Sequence, residues 1–289
     1  MPFVAIPNVS EGRDQARIQE MIRTLRVRGA LVLDVHSDAI HHRSVFTLTA
    51  PAELLRDALA GLARECSEIR LDQHEGVHPR LGGLDVCPIV PYESSMDDAV
   101  KLARSVGESI HAATGLPVYF YGEAAARTET RELRDLRRGG IQGLAARAAG
   151  PLPPDIGGPI DPRRGVVCVG ARGPLIAFNV NLETDLHTAT AIARSVRESA
   201  GGLPGIRALA FPLSPQTSQI SMNLTQPEAA GIDQVFEAVA QGAVRSDAPI
   251  LGCEVIGLVP ERFLPDPRKQ AARLLTQPDL CLEKRLRLD

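Results

Sequence analysis

Apolar residues recur along the chain with two periods, and the switch between them follows a regular order. Residues 3–7 form a short apolar run that reads as a strand. Ser10-Glu11-Gly12 then opens a helix running to about residue 28, with Ile18, Met21, Ile22 and Leu25 on one face and Gly29 as its stop. Leu31–Val35 and Ser44–Thr49 read as strands, and Pro51 suits the first turn of a helix over 52–65. Leu84–Val90 is another strand, whose Pro88 points to a strand end or a sheet edge. A helix near 96–113 and a strand at 117–121 follow.

Residues 147–165 interrupt the pattern. Gly150-Pro151-Leu152-Pro153-Pro154 begins a stretch rich in Pro and Gly, which is a linker or a binding loop. The pattern then restarts as strand 174–182, helix 185–199, strands 206–212 and 217–224, helix 228–242 and strand 250–258. That succession, β-α-β-β-α-β, is the split-βαβ order, and the first half reads in the same order. Leu48-Thr49-Ala50-Pro51 and Leu224-Thr225-Gln226-Pro227 echo one another where an inner strand meets a helix. The expectation is an α+β fold of two ferredoxin-like (split βαβ) subdomains with a ligand cleft between them. The first, 1–165, includes the Pro/Gly-rich loop, and the second is 166–289.

Composition narrows the function. Of 289 residues, 44% are apolar and 23% charged, which excludes bulk disorder and allows a sizeable core. Aromatics are 3% with no Trp, which argues against a protein that stacks single-stranded bases on exposed rings. Thirty-two basic side chains against 35 acidic ones give a net charge of −3, so no global field attracts a polyanion and any anion site is local. No nucleic-acid partner is expected. The N-terminus lacks a signal-peptide pattern and no apolar run reaches about 18 residues, so no membrane partner is expected either. Five cysteines at 66, 87, 168, 253 and 281, without a C-x-x-C pair, fit small buried thiols kept reduced in a cytoplasm.

Five of the seven histidines fall in two short segments, His36, His41 and His42, then His74 and His78. Histidine titrates near neutral pH and is the commonest metal ligand, and both segments lie in or beside loops at strand ends. His74-Glu75-Gly76-Val77-His78 matches H-E-x-x-H, a zinc-hydrolase pattern on a helix. Gly76, Pro79 and Gly82-Gly83 break a helix there, so no metal is expected. His78-Pro79-Arg80 instead reads as a loop presenting an imidazole beside a guanidinium that can grip a carboxylate, or as an ordinary loop His and surface Arg. Asp34 and His36 alternate onto one side of an extended chain before His41-His42-Arg43, either as an oriented imidazole or as a polar sheet end. Ser10-Glu11-Gly12-Arg13 is a helix cap or an anion-binding turn. Arg163 and Arg164, beside Gly165, sit in the Pro/Gly loop, where they hold an anionic tail or are merely solvated. No P-loop, dinucleotide fingerprint or G-x-S-x-G elbow is present.

Several of these segments together carry a resemblance: Ile6–Arg13, Leu33-Asp34-Val35 with His42-Arg43-Ser44-Val45, His74–Pro88, Val118–Ala125, Gly170-Ala171-Arg172, Leu175–Leu182 and Ser221-Met222-Asn223-Leu224. In order and approximate spacing, over nearly the whole chain, it resembles the formiminotransferase family of the glutamate formimidoyltransferases and formiminotransferase-cyclodeaminases, in stand-alone form. The resemblance implies two α+β subdomains with a folate tunnel between them, usually in a homodimer. It implies transfer of a formimino group from N-formimino-L-glutamate to tetrahydrofolate, the co-substrate, in histidine degradation and one-carbon metabolism. By the family motif H-x-G-x-H-P-R, His78 is the catalytic residue. Asp34, His42, Arg43, Arg80, Arg163, Arg164, Gly165, Asn179 and Asn181 are the implied substrate-binding residues. The chain departs from the animal pattern at Val77, His36 and His42. Alternatives beside this reading are a formyl-handling folate one-carbon transferase or cycloligase, and a folate-binding protein without turnover.

Overall fold

A computed structural model of the chain describes residues 3–76, 79–275, 277 and 279–288. The structure is mixed α+β and divides into two compact units, residues 1–173 and 174–289.

The first unit runs β1 (Phe3–Ala5), β2 (Asn8–Val9), α1 (Gln15–Val27), β3 (Leu31–Asp38), β4 (Arg43–Thr49), α2 (Ala52–Cys66), β5 (Leu84–Pro91), α3 (Met96–Thr114) and β6 (Val118–Gly122). Three short helices follow, α4 (Thr128–Arg131), α5 (Leu133–Leu136) and α6 (Gly140–Ala148), before β7 (Val167–Ala171). Helix α1 starts later than its sequence suggests. Asp14 caps it by accepting from the Arg17 N–H at 3.0 Å, because Ser10 and Glu11 have other partners. The Ser10 hydroxyl donates to the Gly82 carbonyl at 2.8 Å, and the Glu11 carboxylate accepts from the backbone N–H groups of Arg13 and Asp14.

In the sheet, β3 pairs with β4, and β1 and β2 lie in succession between β4 and β5, all antiparallel. Beyond β5 the pairing turns parallel, in the order β5-β7-β6. Pro88 is therefore internal, not at an edge or strand end. Its missing N–H falls at the break between β1 and β2, where its carbonyl still accepts from Ile6 N at 3.1 Å. One face of this unit buries Ile18, Leu25, Leu59 and Val106 of α1, α2 and α3 against Phe46, Leu48, Ile89 and Val169. Each such side chain contributes about 1.5–3 kcal/mol on burial. A second cluster, Val86, Tyr119, Tyr121 and Cys168, is covered by Leu136, Leu144 and Leu152.

The Pro/Gly-rich segment is a packed return to the sheet. The Tyr119 hydroxyl donates to the Leu152 carbonyl at 2.7 Å, and Asp155 accepts from Phe120 N at 2.7 Å and from Arg127 at 3.0 Å. The boundary between units falls after Gly173 and not at 165/166, because β7 is held in the first sheet on both sides.

The second unit runs β8 (Ile176–Glu183), α7 (Leu186–Val196), β9 (Ile206–Ser214), β10 (Thr217–Leu224), α8 (Ile232–Arg245) and β11 (Ile250–Ile256), then α9 (Gln270–Leu274) and α10 (Leu282–Leu288). Its four strands lie in the order β11-β8-β10-β9, every neighbouring pair antiparallel. Alternation turns Phe178, Val180, Ile220, Met222 and Val255 onto Ile192, Val196, Val235 and Val239 of α7 and α8. It turns Asn179, Asn181, Gln219 and Glu254 to the opposite face. All five cysteines are buried and none is in a disulfide. Among the described residues no helix is long and apolar enough to cross a membrane.

Candidate functional site

Three parts of the first unit's backbone converge: the turn at 10–14, the β3–β4 hairpin at 38–43, and the stretches 71–76 and 79–85. Gly12 permits the first contact, since a β-carbon there would lie 2.5 Å from Arg43 N and still nearer the Asp38 carbonyl. Gly82 permits the second, with no room for a β-carbon beside the Val166 carbonyl. The glycines thus bring polar side chains from distant positions into one cluster.

His74 ties the segments together. Its Nε2 lies 2.8 Å from the Ser10 carbonyl, which only an N–H can satisfy, so Nε2 carries the proton. Nδ1 is then the acceptor for the Arg80 guanidinium, whose Nη2 also donates to the His41 carbonyl at 3.2 Å. Burial, with the positive charges of Arg80 and His42 adding to it, pushes the His74 pKa down to about 4. His74 is a neutral, doubly engaged imidazole at neutral pH. Residues 74–76, the described part of the H-E-x-x-H pattern, are not helical.

The His42 ring packs on His74 with centroids 4.0 Å apart and a 56° tilt, from a left-handed backbone at φ +48°. Burial lowers its pKa, Arg13 and Arg80 push the same way, and Glu11, 3.8 Å from Nδ1, opposes them. Burial of the Glu11 carboxylate raises its pKa, but the Asp14 and Arg13 N–H groups and His42 outweigh that and hold it below its usual range. Arg43 is lowered to about 10 by burial, with Arg137 and Arg80 adding to the effect against Asp85 and Asp38, so it stays charged at neutral pH. Asp85 is 2% exposed, accepts from Leu81 N at 2.6 Å and pairs with Arg137. Burial opposes the charge on Arg137, and Asp85 more than restores it. Arg13, Arg43, Arg80 and Arg137 thus face Glu11, Asp38 and Asp85, a local cationic surplus on an acidic chain. The chemistry of such a cluster suits an anion such as a carboxylate, with the His42 and His74 rings disfavoured from protonating beside it.

His42, Arg43 and Arg80 come together here. Asp34, half-buried, and His36 share a face of β3, opposite Thr47 and Val45. His41 is buried at 3.9 Å from Asp38. Arg163 and Arg164 are exposed; Arg164 donates to the Thr114 carbonyl at the end of α3 at 3.0 Å. Gly165 turns the chain at φ +75° beside Gly82. Asn179 and Asn181 lie on the sheet of the second unit, where the Asn179 amide donates to Glu254 at 2.9 Å and Asn181 accepts from Gln219 at 3.0 Å. His78 and Val77 lie outside the described residues. The sequence reading passed over Asp85 and Arg137 and gave His74 no role of its own. The only signal for Asp85 is its place directly after the Gly82-Gly83-Leu84 turn, and Arg137 sits in a charged run that reads as solvated surface.

Residues 3–172 match the formiminotransferase domain, N-terminal subdomain family, and residues 177–273 match the formiminotransferase domain family. A glutamate formimidoyltransferase of Streptococcus pyogenes serotype M1 is 38% identical over 268 residues, 90% of either chain. A glutamate formimidoyltransferase of Thermoplasma acidophilum is 36% identical over 283 residues, 93% of this chain and 91% of its own. The formimidoyltransferase-cyclodeaminase of Sus scrofa is 34% identical over 273 residues, 90% of this chain and 50% of its own.

Proposed function

The chain belongs to the formiminotransferase family, and on that premise we propose that it transfers the formimino group of N-formimino-L-glutamate to tetrahydrofolate and releases L-glutamate. Tetrahydrofolate is the co-substrate, and the setting is histidine degradation and one-carbon metabolism. The observation that carries this reading is identity of 36–38% with two glutamate formimidoyltransferases over about nine-tenths of the chain. The cationic cluster, half-buried at Arg43, Arg80 and Arg137, supports it, since the donor and the folate both bear glutamate carboxylates.

In the reaction an amine nitrogen of the reduced pterin attacks the amidine carbon. The tetrahedral carbon then carries the attacking and the departing nitrogen. One proton leaves the pterin nitrogen and one joins the departing glutamate nitrogen, so the amidine moves with no net proton or electron change. One imidazole can serve both transfers if it titrates near neutral pH. His74, with both nitrogens engaged and a pKa of about 4, is unsuited to that task. We assign it to His78, four residues on in the family motif. Arg43 and Arg80 take substrate carboxylate, with Asp34 and His42 supporting them. Arg163, Arg164 and Gly165 of the Pro/Gly loop, with Asn179 and Asn181, contact the folate. The same reading makes the units ferredoxin-like, an assignment supported in the second by its β11-β8-β10-β9 antiparallel order. It also makes the protein a cytoplasmic homodimer.

The test mixes purified chain with tetrahydrofolate and N-formimino-L-glutamate and follows 5-formiminotetrahydrofolate and glutamate by mass spectrometry. Both products are expected, with His78→Ala slower by about 10²–10⁴-fold while folded. No product from folded wild-type chain overturns the reaction. Undiminished turnover by His78→Ala overturns only the assignment of that residue.

A further inference from the structure

The reaction above leaves Arg172, directly after β7, without a task. Its backbone is fixed: Ala171 pairs with Ile89 of β5 and Gly122 of β6, and Arg172 N donates to the Ile89 carbonyl at 3.1 Å. Its side chain is held as well. Nη1 donates to the Gly173 carbonyl at 2.9 Å, and the Tyr121 hydroxyl bonds the guanidinium. Gly170 makes room for that phenol, since a β-carbon there would lie 2.6–2.8 Å from three Tyr121 ring carbons. Tyr121 is 5% exposed and its ring belongs to the cluster of Val86, Tyr119 and Cys168. A guanidinium has no acceptor, so the phenol oxygen accepts from Arg172 and the hydroxyl hydrogen is left to donate elsewhere.

The charge is not matched as it is at neighbouring arginines. Arg137 meets Asp85, Arg127 meets Asp155 at 3.0 Å, and Asp85 also acts on Arg43 and Arg80. Arg172 is half-buried, and burial disfavours its charge; Tyr121 alone counters this, and none of the groups acting on it is a carboxylate. A guanidinium withdrawn from water without an anion is costly to the fold. Its donors are nonetheless reachable. The N–H groups outnumber the two partners, and none of its nitrogens is both buried and without a partner. Beyond those two bonds the arrangement presents only donors, the spare N–H groups and the Tyr121 O–H, beside a positive charge. That set suits an oxyanion and rejects a cation. It is also separate from the cluster around Arg80. Val86 pairs with Cys168, so Asp85 is level with Val167, and Arg172 lies further along β7 by about 17 Å of strand.

Building on the transferase reading, we infer that Arg172 is a further substrate-binding residue whose guanidinium takes a glutamate carboxylate, with Tyr121 as the positioning residue that holds it. Both proposed substrates carry such a carboxylate, and carboxylates are their only anionic groups.

The experiment measures binding to the full chain by calorimetry for wild type, Arg172→Gln and Tyr121→Phe, with circular dichroism as the check of fold. Arg172→Lys, which loses the planar fork, stands in if Arg172→Gln does not fold. The folate arm compares 5-formyltetrahydrofolate with 5-formyltetrahydropteroate, which lacks the glutamate. The donor arm compares N-formimino-L-glutamate with N-formimino-4-aminobutyrate and N-formimino-L-2-aminobutyrate, each lacking one carboxylate. Arg172→Gln is expected to weaken the complete probe of one arm by about tenfold or more, and a truncated probe of that arm by less than about twofold. The arm affected identifies the source of the carboxylate. Tyr121→Phe keeps the ring on β7 and should weaken the same complete probe by about threefold or more while sparing the truncated one. A merely structural tyrosine would weaken both alike. Unchanged binding of both complete probes by Arg172→Gln, or equal weakening of complete and truncated probes, overturns the inference. Tyr121→Phe binding as wild type does overturns the positioning role alone. A wild type that transfers the formimino group beside an Arg172→Gln with unchanged binding leaves the transferase reading standing and removes only this site. A wild type that binds no probe removes both.

Discussion

Replacing Asp85 by Asn tests whether the cationic cluster depends on a single buried acid. The Asp85 side chain is 4% exposed and its partner Arg137 22%, and Oδ1 also accepts from Leu81 N at 2.6 Å. Asparagine keeps the shape and one acceptor for Leu81, but it takes the negative charge from among Arg43, Arg80 and Arg137. Removing one partner of a buried pair costs about 3–5 kcal/mol, and the retained Leu81 bond places Asp85→Asn near the lower end, about 3 kcal/mol. At about 2–4 °C per kcal/mol for a unit of this size, the melting temperature should fall by about 6–12 °C. Urea unfolding with an unchanged slope, beside calorimetry, measures this directly. The companion variant Asp85→Asn/Arg137→Met also removes the stranded cation and should recover about half of the loss or more. A single variant within about 0.5 kcal/mol of wild type would refute the reasoning, because surface substitutions lie in that range. So would a double variant no better than the single, since the penalty then would not be a stranded charge.

Two other outcomes follow from the same cluster. Gly12→Ala sets a methyl group against backbone atoms of Asp38 and Arg43, which yield less easily than a side chain, and should cost about 1–3 kcal/mol or more by overpacking; a melting temperature equal to wild type counts against the close approach. His74 binds its proton less readily folded, at about 4, than at its ordinary 6.5, so the unfolded chain holds more protons between those values. Stability should therefore fall as pH drops through that window and level off below it, by up to about 3 kcal/mol from this group, with His42 adding in the same direction. His74→Gln, which keeps a donor for the Ser10 carbonyl, should flatten that slope in urea unfolding between pH 7 and pH 4, and parallel slopes in the two proteins would exclude His74 as its source.

Where pattern and local chemistry agree, the sequence was readable. The apolar stripe of α1 and the strand-helix alternation of residues 174–258 appear as the periods indicate, with helix ends moved by a few residues. Helix α8, for instance, starts at Ile232, not 228, because Ala229 and Ala230 turn back onto the Gln226 carbonyl first. What escaped was non-local. Strand β7 is a five-residue run behind a Pro/Gly loop, and only parallel pairing with β5 and β6 makes it part of the first unit. Pro88 marks an edge by ordinary rules, and only the break between β1 and β2 lets it sit inside the sheet. Arg137 belongs to a run of charges that reads as solvated, and it is largely buried because Asp85 meets it from 52 positions away. The motif histidines and arginines were visible as residue types, but the pairing of His74 with Ser10 and Arg80 needed the fold.

The same charges govern two properties that are easily treated separately. Arg80 and Arg13 help keep His42 neutral, and Arg80 does so for His74, because each guanidinium disfavours a second positive charge nearby. Those guanidinium groups also form the surplus proposed to receive a substrate carboxylate. A carboxylate arriving beside Arg80 cancels part of their field, and the imidazoles then accept protons more readily. By linkage the effect runs both ways: protonating an imidazole must strengthen anion binding by the same factor that the anion strengthens protonation. In this cluster, holding a carboxylate and setting the proton affinity of a nearby ring are therefore one electrostatic act. Removing Arg80 has to disturb both together, whereas removing His74 disturbs the ring and the guanidinium it orients but leaves the Arg43 and Arg137 charges in place.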